Sequence, residues 1–359
     1  MKRIWFLSDI HFGVRSNSVE WMSIQRDYFF HFFLPLVKKH YRTGDVLFML
    51  GDYFDNRQAI NIEVGNLGLE VAEMFSDLFP DGVFMICGNH DLYSKSTTKI
   101  NSIKYFRHIK NIHVFEEPEV VKVGDKKFQM LPWRKHHEDE KAFLKDHAAD
   151  FLCCHMNVLN MSLNSYTKVE RGCDDNDFKG FGHVFSGHIH YTQKSEKVTM
   201  LGCPYQLTRS DRNNKKYVLL FDPANSERVE FENNFSPKHL MFDFSSLLHK
   251  TPKQIGRLFE NHFVDVVVDP KMMMKVPMGV FADEIPRTYR RLEPHLTVEE
   301  NRLNENAELS SSPIGIERLI EIYVSSLEYD RQMKDRMVGD LKELYKNALA
   351  QEQNENKLS

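Results

Sequence analysis

Short apolar runs separated by helix-length segments constrain this chain of 359 residues more than any other feature. Arg3 to Ser8 reads as a buried strand. Val19 to Tyr41 reads as a largely helical segment that Pro35 should kink or end, and Asp45 to Leu50 as a second strand. Ile62 to Phe79 then fits a helix and Gly82 to Cys87 a third strand. This βαβαβ rhythm predicts an α/β domain whose sheet is covered by helices, spanning 1–225. Further apolar runs at 119–123, 127–131, 150–155, 183–187, 197–201 and 217–222 have less helix between them and predict a second, more mixed sheet. Over 226–300 the texture changes. A helix-like segment (Pro252 to Asn261), a strand-like run (Phe263 to Val268) and a Met-rich stretch predict a small α+β appendage. Residues 301–313 are polar, end in Ser-Ser-Ser-Pro and read as a linker. Over 314–350, Ile316, Leu319, Ile320, Tyr323 and Leu327, then Met337, Leu341, Leu344, Tyr345 and Leu349, recur at helical spacing. They predict a pair of amphipathic helices, followed by a frayed tail at 351–359.

Composition excludes several classes. With 42% hydrophobic and 27% charged residues, the chain is not disordered throughout. A net charge of −4 gives no global basic excess, so any nucleic-acid contact must come from a local patch. The longest apolar run, Tyr28 to Val37, is broken by His31 and Pro35 and is far shorter than the ~20 residues a bilayer requires. Asp9 and His11 end the first apolar stretch too early for a signal peptide. The five cysteines form no CxxC pair, and an odd count without a secretion signal reads as reduced thiols in the cytoplasm.

Five polar motifs stand where predicted strands end: Asp9-x-His11, Gly51-Asp52-x-x-Asp55, Gly88-Asn89-His90-Asp91, Cys154-His155 and Gly187-His188-x-His190. Open α/β sheets gather ligands at the carboxyl ends of their strands, and glycines at 51, 88 and 187 let the backbone bend there. Taken singly, an Asp-x-His is more often a capped turn than a ligand pair, Gly-Asn-His-Asp fits a turn, and Gly-His-x-His is a weak metal signal. Together they supply hard oxygen donors and imidazoles, a set that suits manganese, iron or zinc. Seven candidate ligands exceed the needs of one ion and fit two ions sharing a carboxylate. His136 and His137 read as a solvated helix start, while Cys153 and Cys154 read as small core residues.

The set Asp9-Ile-His11-Phe-Gly13, Gly51-Asp52-Tyr-Phe-Asp55, Gly88-Asn89-His90-Asp91, His155 and Gly187-His188-Ile-His190 resembles the calcineurin-like metallophosphoesterase superfamily. The run Leu201 to Leu207 and the layout of the tail are similar to its SbcD branch of DNA double-strand-break nucleases, and most of all to the short recombination-nuclease subunits of large tailed bacteriophages. The motif match covers roughly residues 1–222. The resemblance implies a four-layer sandwich of two mixed sheets flanked by helices, with a small α+β cap and a C-terminal helical pair. It implies one divalent ion on Asp9, His11, Asp52 and His190, and a second on Asp52, Asn89, His155 and His188. It also implies that His90 is a catalytic histidine outside the ligand set, oriented by Asp91. Cys153-Cys154 precedes His155 where many members have Gly before the histidine, and Asp55-Asn56-Arg57 stands where some place a substrate-handling histidine. The roles of Asp55 and Arg57 stay open.

The leading expectation is a manganese-dependent DNA exonuclease and endonuclease working with an SbcC-type ATPase in double-strand-break processing and recombination. Lys95 and Lys99, in an acid-free basic stretch immediately after the Gly88–Asp91 motif, and Arg209 and Arg212 are the expected DNA contacts. Ile316, Leu319, Ile320 and Tyr323 are the expected anchors on the ATPase. Helices near 62–78 and 96–108 are the expected dimer interface of a homodimer. Two alternatives stand beside this: a phosphatase or phosphodiesterase acting on another substrate, and a structural DNA-tethering subunit with a degenerate site.

Overall fold

The computed structural model describes residues 2–94, 97–145, 149–268 and 295–298, with Val324, Arg331, Met333, Lys334 and residues 336–342. Lys95, the linker at 301–313 and the anchors Ile316, Leu319, Ile320 and Tyr323 lie outside the described residues. The chain forms two compact units, 1–299 and 300–359. In the second unit, Val324 and the described residues of 331–342 are helical.

Two six-stranded mixed sheets dominate the first unit. The strands in chain order begin with β1 (Ile4–Leu7), β2 (Val46–Leu50) and β3 (Val83–Ile86). A hairpin, β4 (Leu92–Ser94) and β5 (Thr97–Asn101), precedes β6 (Ile112–Phe115). Then come β7 (Glu119–Val123), β8 (Lys126–Leu131), β9 (Phe151–His155), β10 (His183–Gly187), β11 (Gln193–Lys194) and β12 (Val198–Met200). The chain returns to the first sheet with β13 (Tyr217–Asp222) and β14 (Glu227–Glu232), then adds β15 (His239–Asp243), β16 (Phe263–Val268) and β17 (His295–Val298).

The first sheet runs β14-β13-β1-β2-β3-β6 and the second β11-β12-β10-β9-β8-β7. Within the first, β1, β2, β3 and β6 are parallel, and β13 and β14 are added antiparallel. Within the second, β8, β9, β10 and β12 are parallel. Strand alternation divides the core. Ile4 and Phe6 of β1 face the second sheet, packing with Phe128, Phe151 and Phe185, whereas Trp5 and Leu7 face the helices. Phe6 stacks on Phe185 with centroids 4.4 Å apart, joining the two sheets at their centre. The helices Val19–Asp27, Leu34–His40 and Ile62–Leu78 cover the outer face of the first sheet. On the outer face of the second lie Leu144 of the helix His137–Lys145 and residues of the 156–181 loop. The result is the four-layer α/β sandwich.

Several local expectations are corrected. Pro35 does not end the helical segment: residues Tyr28–Phe33 widen into a π-helical turn, and Pro35 opens the helix that follows. A proline lacks the N–H and crowds the carbonyl one turn earlier, and the wide turn, in which Leu34 N–H donates to Phe29 O, removes that conflict. The expected helix near 96–108 is instead strand β5 and a 3₁₀ turn at Lys104–His108, because Leu92 and Ser94 pair antiparallel with Asn101 and Thr97. The expected boundary at 225/226 falls inside the β13–β14 hairpin, so the first sheet extends to Glu232. Beyond it, β15, β16 and β17 form a separate parallel three-stranded sheet, with the helix Pro252–Phe259 packed on it. Among the described residues, no helix is long and apolar enough to cross a membrane. All five cysteines are buried and free.

Candidate metal centre

Parallel strands bring every strand-end motif to one edge of the two sheets. Asp9 and His11 follow β1, Gly51–Asp55 follow β2, Gly88–Asp91 follow β3, His155 ends β9, and His188 and His190 follow β10. The loops are stitched together by main-chain bonds, Asp9 N–H to Gly51 O at 3.0 Å and His11 N–H to Asp52 O at 3.0 Å. Asp9, His11, Asp52 and His188 all have φ between 53° and 84°, a conformation that non-glycine residues rarely adopt. Gly88 is required by a close approach: a Cβ there would lie 2.2 Å from Asp52 Oδ1.

The seven expected ligands converge. Asp52 is at the centre, its Oδ2 being 3.6 Å from His11 Nε2 and 3.3 Å from His155 Nε2. On one side, His11 Nε2 lies 2.9 Å from His190 Nε2, which is 4.0 Å from Asp9 Oδ1. On the other, Asn89 Oδ1 is 3.1 Å from His155 Nε2 and 2.7 Å from His188 Nδ1. Asp9, His11, Asp52 and His155 are fully or almost fully buried.

Hydrogen bonds behind the cluster fix which ring nitrogens face it. Leu50 O can only accept, so His155 Nδ1 at 2.7 Å must donate, turning Nε2 toward the cluster. Asp55 Oδ1 holds His11 Nδ1 at 3.0 Å in the same way. Nε2 of His155 therefore faces two acceptor oxygens, Asp52 Oδ2 and Asn89 Oδ1, and the gap between them calls for positive charge, either a proton on Nε2 or a cation. Electrostatics agree. Burial disfavours a charged His155, yet the Asp52 carboxylate opposite pushes it up to about 9. Burial works to raise the Asp52 carboxyl, but His155, His11 and His90 hold it well below the usual range. Burial pushes His188 down to about 3, with His155 facing it, and holds His190 well below its ordinary value, with His11 facing it. Acceptors grouped on either side of a shared, ionised carboxylate are what a pair of divalent cations fits.

His90 is a third exposed and lies beside His11, with ring centroids 4.8 Å apart. The expectation that Asp91 orients it is corrected. Asp91 is fully buried and accepts main-chain N–H bonds from Asp52, Tyr53, Phe54 and Gly88 at 2.8–3.2 Å, so its oxygens fix the Asp52 loop. Burial and the neighbouring Asp52 push Asp91 up to about 7. His90 Nδ1 donates instead to Asp55 O at 2.7 Å. Asp55, whose role the sequence left open, thus serves two histidines. Its motif spacing was the available signal.

Of the expected DNA contacts, Lys99 is exposed on β5. Arg209 Nε and Arg212 Nη2 both bind Asp265 of β16, so one carboxylate partly offsets two guanidinium groups and ties them to the small sheet. His137 begins its helix as expected, but its Nδ1 bonds the buried Glu140 at 3.0 Å.

Residues 2–192 match the calcineurin-like phosphoesterase family. This chain belongs to that family. Over 304 residues it is 25% identical to exonuclease subunit 1 of Enterobacteria phage T4, covering 79% of this chain and 87% of the phage protein. Among solved structures, an archaeal phosphodiesterase is 12% identical with a TM-score of 0.30, covering 64% of this chain and 99% of its own. A protein of unknown function from Aquifex aeolicus is 16% identical with a TM-score of 0.25, covering 42% and 77%. As a calcineurin-like phosphoesterase, the chain is a hydrolase of phosphate esters, and its clustered histidines and carboxylates are candidate divalent-metal ligands.

Proposed function

We propose that this phosphoesterase is a manganese-dependent DNA nuclease, the hydrolytic subunit of a cytoplasmic complex with an SbcC-type ATPase that processes double-strand breaks, and that it works as a homodimer. The observation that carries the two-ion reading is the position of Asp52 between the His11–His190 and Asn89–His155–His188 groups. Similarity to a phage exonuclease subunit over most of the chain supports DNA as substrate and a partner protein. Hard oxygens with imidazoles suit manganese, iron or zinc, and manganese is the ion of this reading.

In this reading Asp9, His11, Asp52 and His190 hold one cation, and Asp52, Asn89, His155 and His188 the other. Bound there, the pair supplies charge neutralisation for a phosphodiester and an acidified water. His90, its Nδ1 proton held by Asp55 O, presents Nε2 and in its protonated form donates to the leaving oxygen. Asp91 keeps the Asp52 loop rigid beneath it. Exposed Lys99, with Lys95, contacts phosphates. Ile316, Leu319, Ile320 and Tyr323 seat on the ATPase. Cleavage of an oligonucleotide duplex with manganese, measured against a generic phosphate ester, tests this reading. Turnover of the ester without DNA cleavage would replace the nuclease with a small-substrate phosphatase.

A further inference from the structure

His190 is held differently from His11 and His155. Those two rings are braced from behind, through Nδ1, by Asp55 Oδ1 and Leu50 O. Among the described residues nothing hydrogen-bonds Nδ1 of His190, and its side chain is 36% exposed. It also lies beyond the end of β10, outside the sheet ladder. The place of its ring therefore rests on its main chain.

Lys216 grips that main chain. Its Nζ donates to His190 O at 2.6 Å and to Asp211 Oδ1 at 2.7 Å. The lysine is 3% exposed, a rare setting for an ammonium, and Asp211 is 2% exposed. Asp211 is fixed in turn. Its Oδ2 accepts from Thr208 N–H at 3.0 Å and from Thr208 Oγ1 at 3.2 Å, closing the turn Arg209–Asp211. Two residues on from His190, Asn214 pairs with both main-chain groups of Thr192, Oδ1 accepting from its N–H and Nδ2 donating to its O, each at 2.8 Å. The segment 208–216 thus holds the His190–Thr192 loop by three bonds from side chains to backbone.

A buried ion pair adds little net stability, because desolvating both charges offsets their attraction. What this pair does supply is a fixed donor aimed at one carbonyl. We propose that Lys216 is the positioning residue for His190: its ammonium, anchored by Asp211, fixes the His190 backbone and so sets the affinity of the cation expected on Asp9, His11, Asp52 and His190, leaving the other cation unaffected. The inference rests on the two-ion reading above, in which Asn89, His155 and His188 are held by other contacts.

The test titrates manganese into metal-free, full-length protein by calorimetry, beside a thermal melt without metal. Lys216→Met alone would strand the buried Asp211 carboxylate. The informative pair is therefore Asp211→Asn, whose amide oxygen can still accept from Lys216, and the double variant Lys216→Met/Asp211→Asn. The double variant removes the bond to His190 without leaving a buried charge unpaired, and His190 O keeps the Cys203 N–H at 3.3 Å. Wild type and Asp211→Asn should bind two ions with similar affinities. The double variant should melt cooperatively and bind one ion as wild type does, but the other roughly 10–100-fold more weakly, the scale of losing the partner behind a ligand. The weakened event should be the one missing from His190→Ala. Two ions at wild-type affinity in the double variant would overturn the proposal. So would equal weakening of both ions, the mark of a merely structural role. A single ion in wild type would overturn the two-ion reading and, with it, the proposal.

Discussion

The carboxylate of Asp55 lies 3.0 Å from Nδ1 of His11 and sets the ring so that Nε2 faces Asp52. Asp55 is itself no expected ligand, yet it decides whether one can bind. Asp55→Ala should lower metal affinity by roughly 10–100-fold, the usual cost of removing the partner behind a ligating histidine. Its carbonyl, which serves His90, survives the substitution. Metal titration by calorimetry checks this, and unchanged affinity would remove Asp55 from the centre.

Asp52→Ala should leave a folded protein that binds neither ion and does not turn over, whereas His190→Ala should keep one. Elemental analysis after dialysis distinguishes the two. Two ions per chain in the Asp52 variant would refute the shared-carboxylate assignment.

His90→Ser should keep both ions and substrate affinity while losing roughly 10²–10⁴-fold in rate, the range for a positioned proton donor. Loss of metal in this variant would make His90 a ligand.

The pH dependence of stability has a contributor outside the site. His183 on β10 is buried, its Nε2 2.9 Å from Thr199 Oγ1, and burial pushes it down to about 3 against an ordinary value of 6.5. A depressed histidine contributes stability above its unfolded pKa and loses it as pH falls toward the folded one. Melting temperature should therefore drop between about pH 6.5 and 3, and His183→Gln should make that drop shallower. An unaltered slope in the variant would show that other groups govern acid unfolding.

Ending the chain after Pro313 should abolish co-purification with the ATPase and any ATP-stimulated processing of long duplexes, while manganese-dependent cleavage of short DNA persists. Aggregation, or loss of a cooperative melt, would place the removed helices in the core.

The sheets were legible because buried strands announce themselves as apolar runs, and the strand-end motifs were legible because their residue types recur where those runs stop. The arrangement behind the ligands was not. Asp91 spends its carboxylate on main-chain N–H groups as far away in sequence as Asp52, and Asp55 presents a carbonyl to His90. No spacing rule encodes bonds between side chains and distant backbone. The β4–β5 hairpin was missed because its basic residues, read as a charge run, mask strand pairing. Arg209 and Arg212 looked free only because their partner, Asp265, lies more than 50 residues further on.

The left-handed backbone at Asp9, His11, Asp52 and His188 sets a limit on how this protein can change. Glycine would relax each position, but glycine carries no donor atom, so every substitution that eases the chain there also empties the site. Evolution or engineering toward a sturdier enzyme must therefore work through the sheets and helices, leaving these four residues as a fixed cost that the rest of the fold offsets.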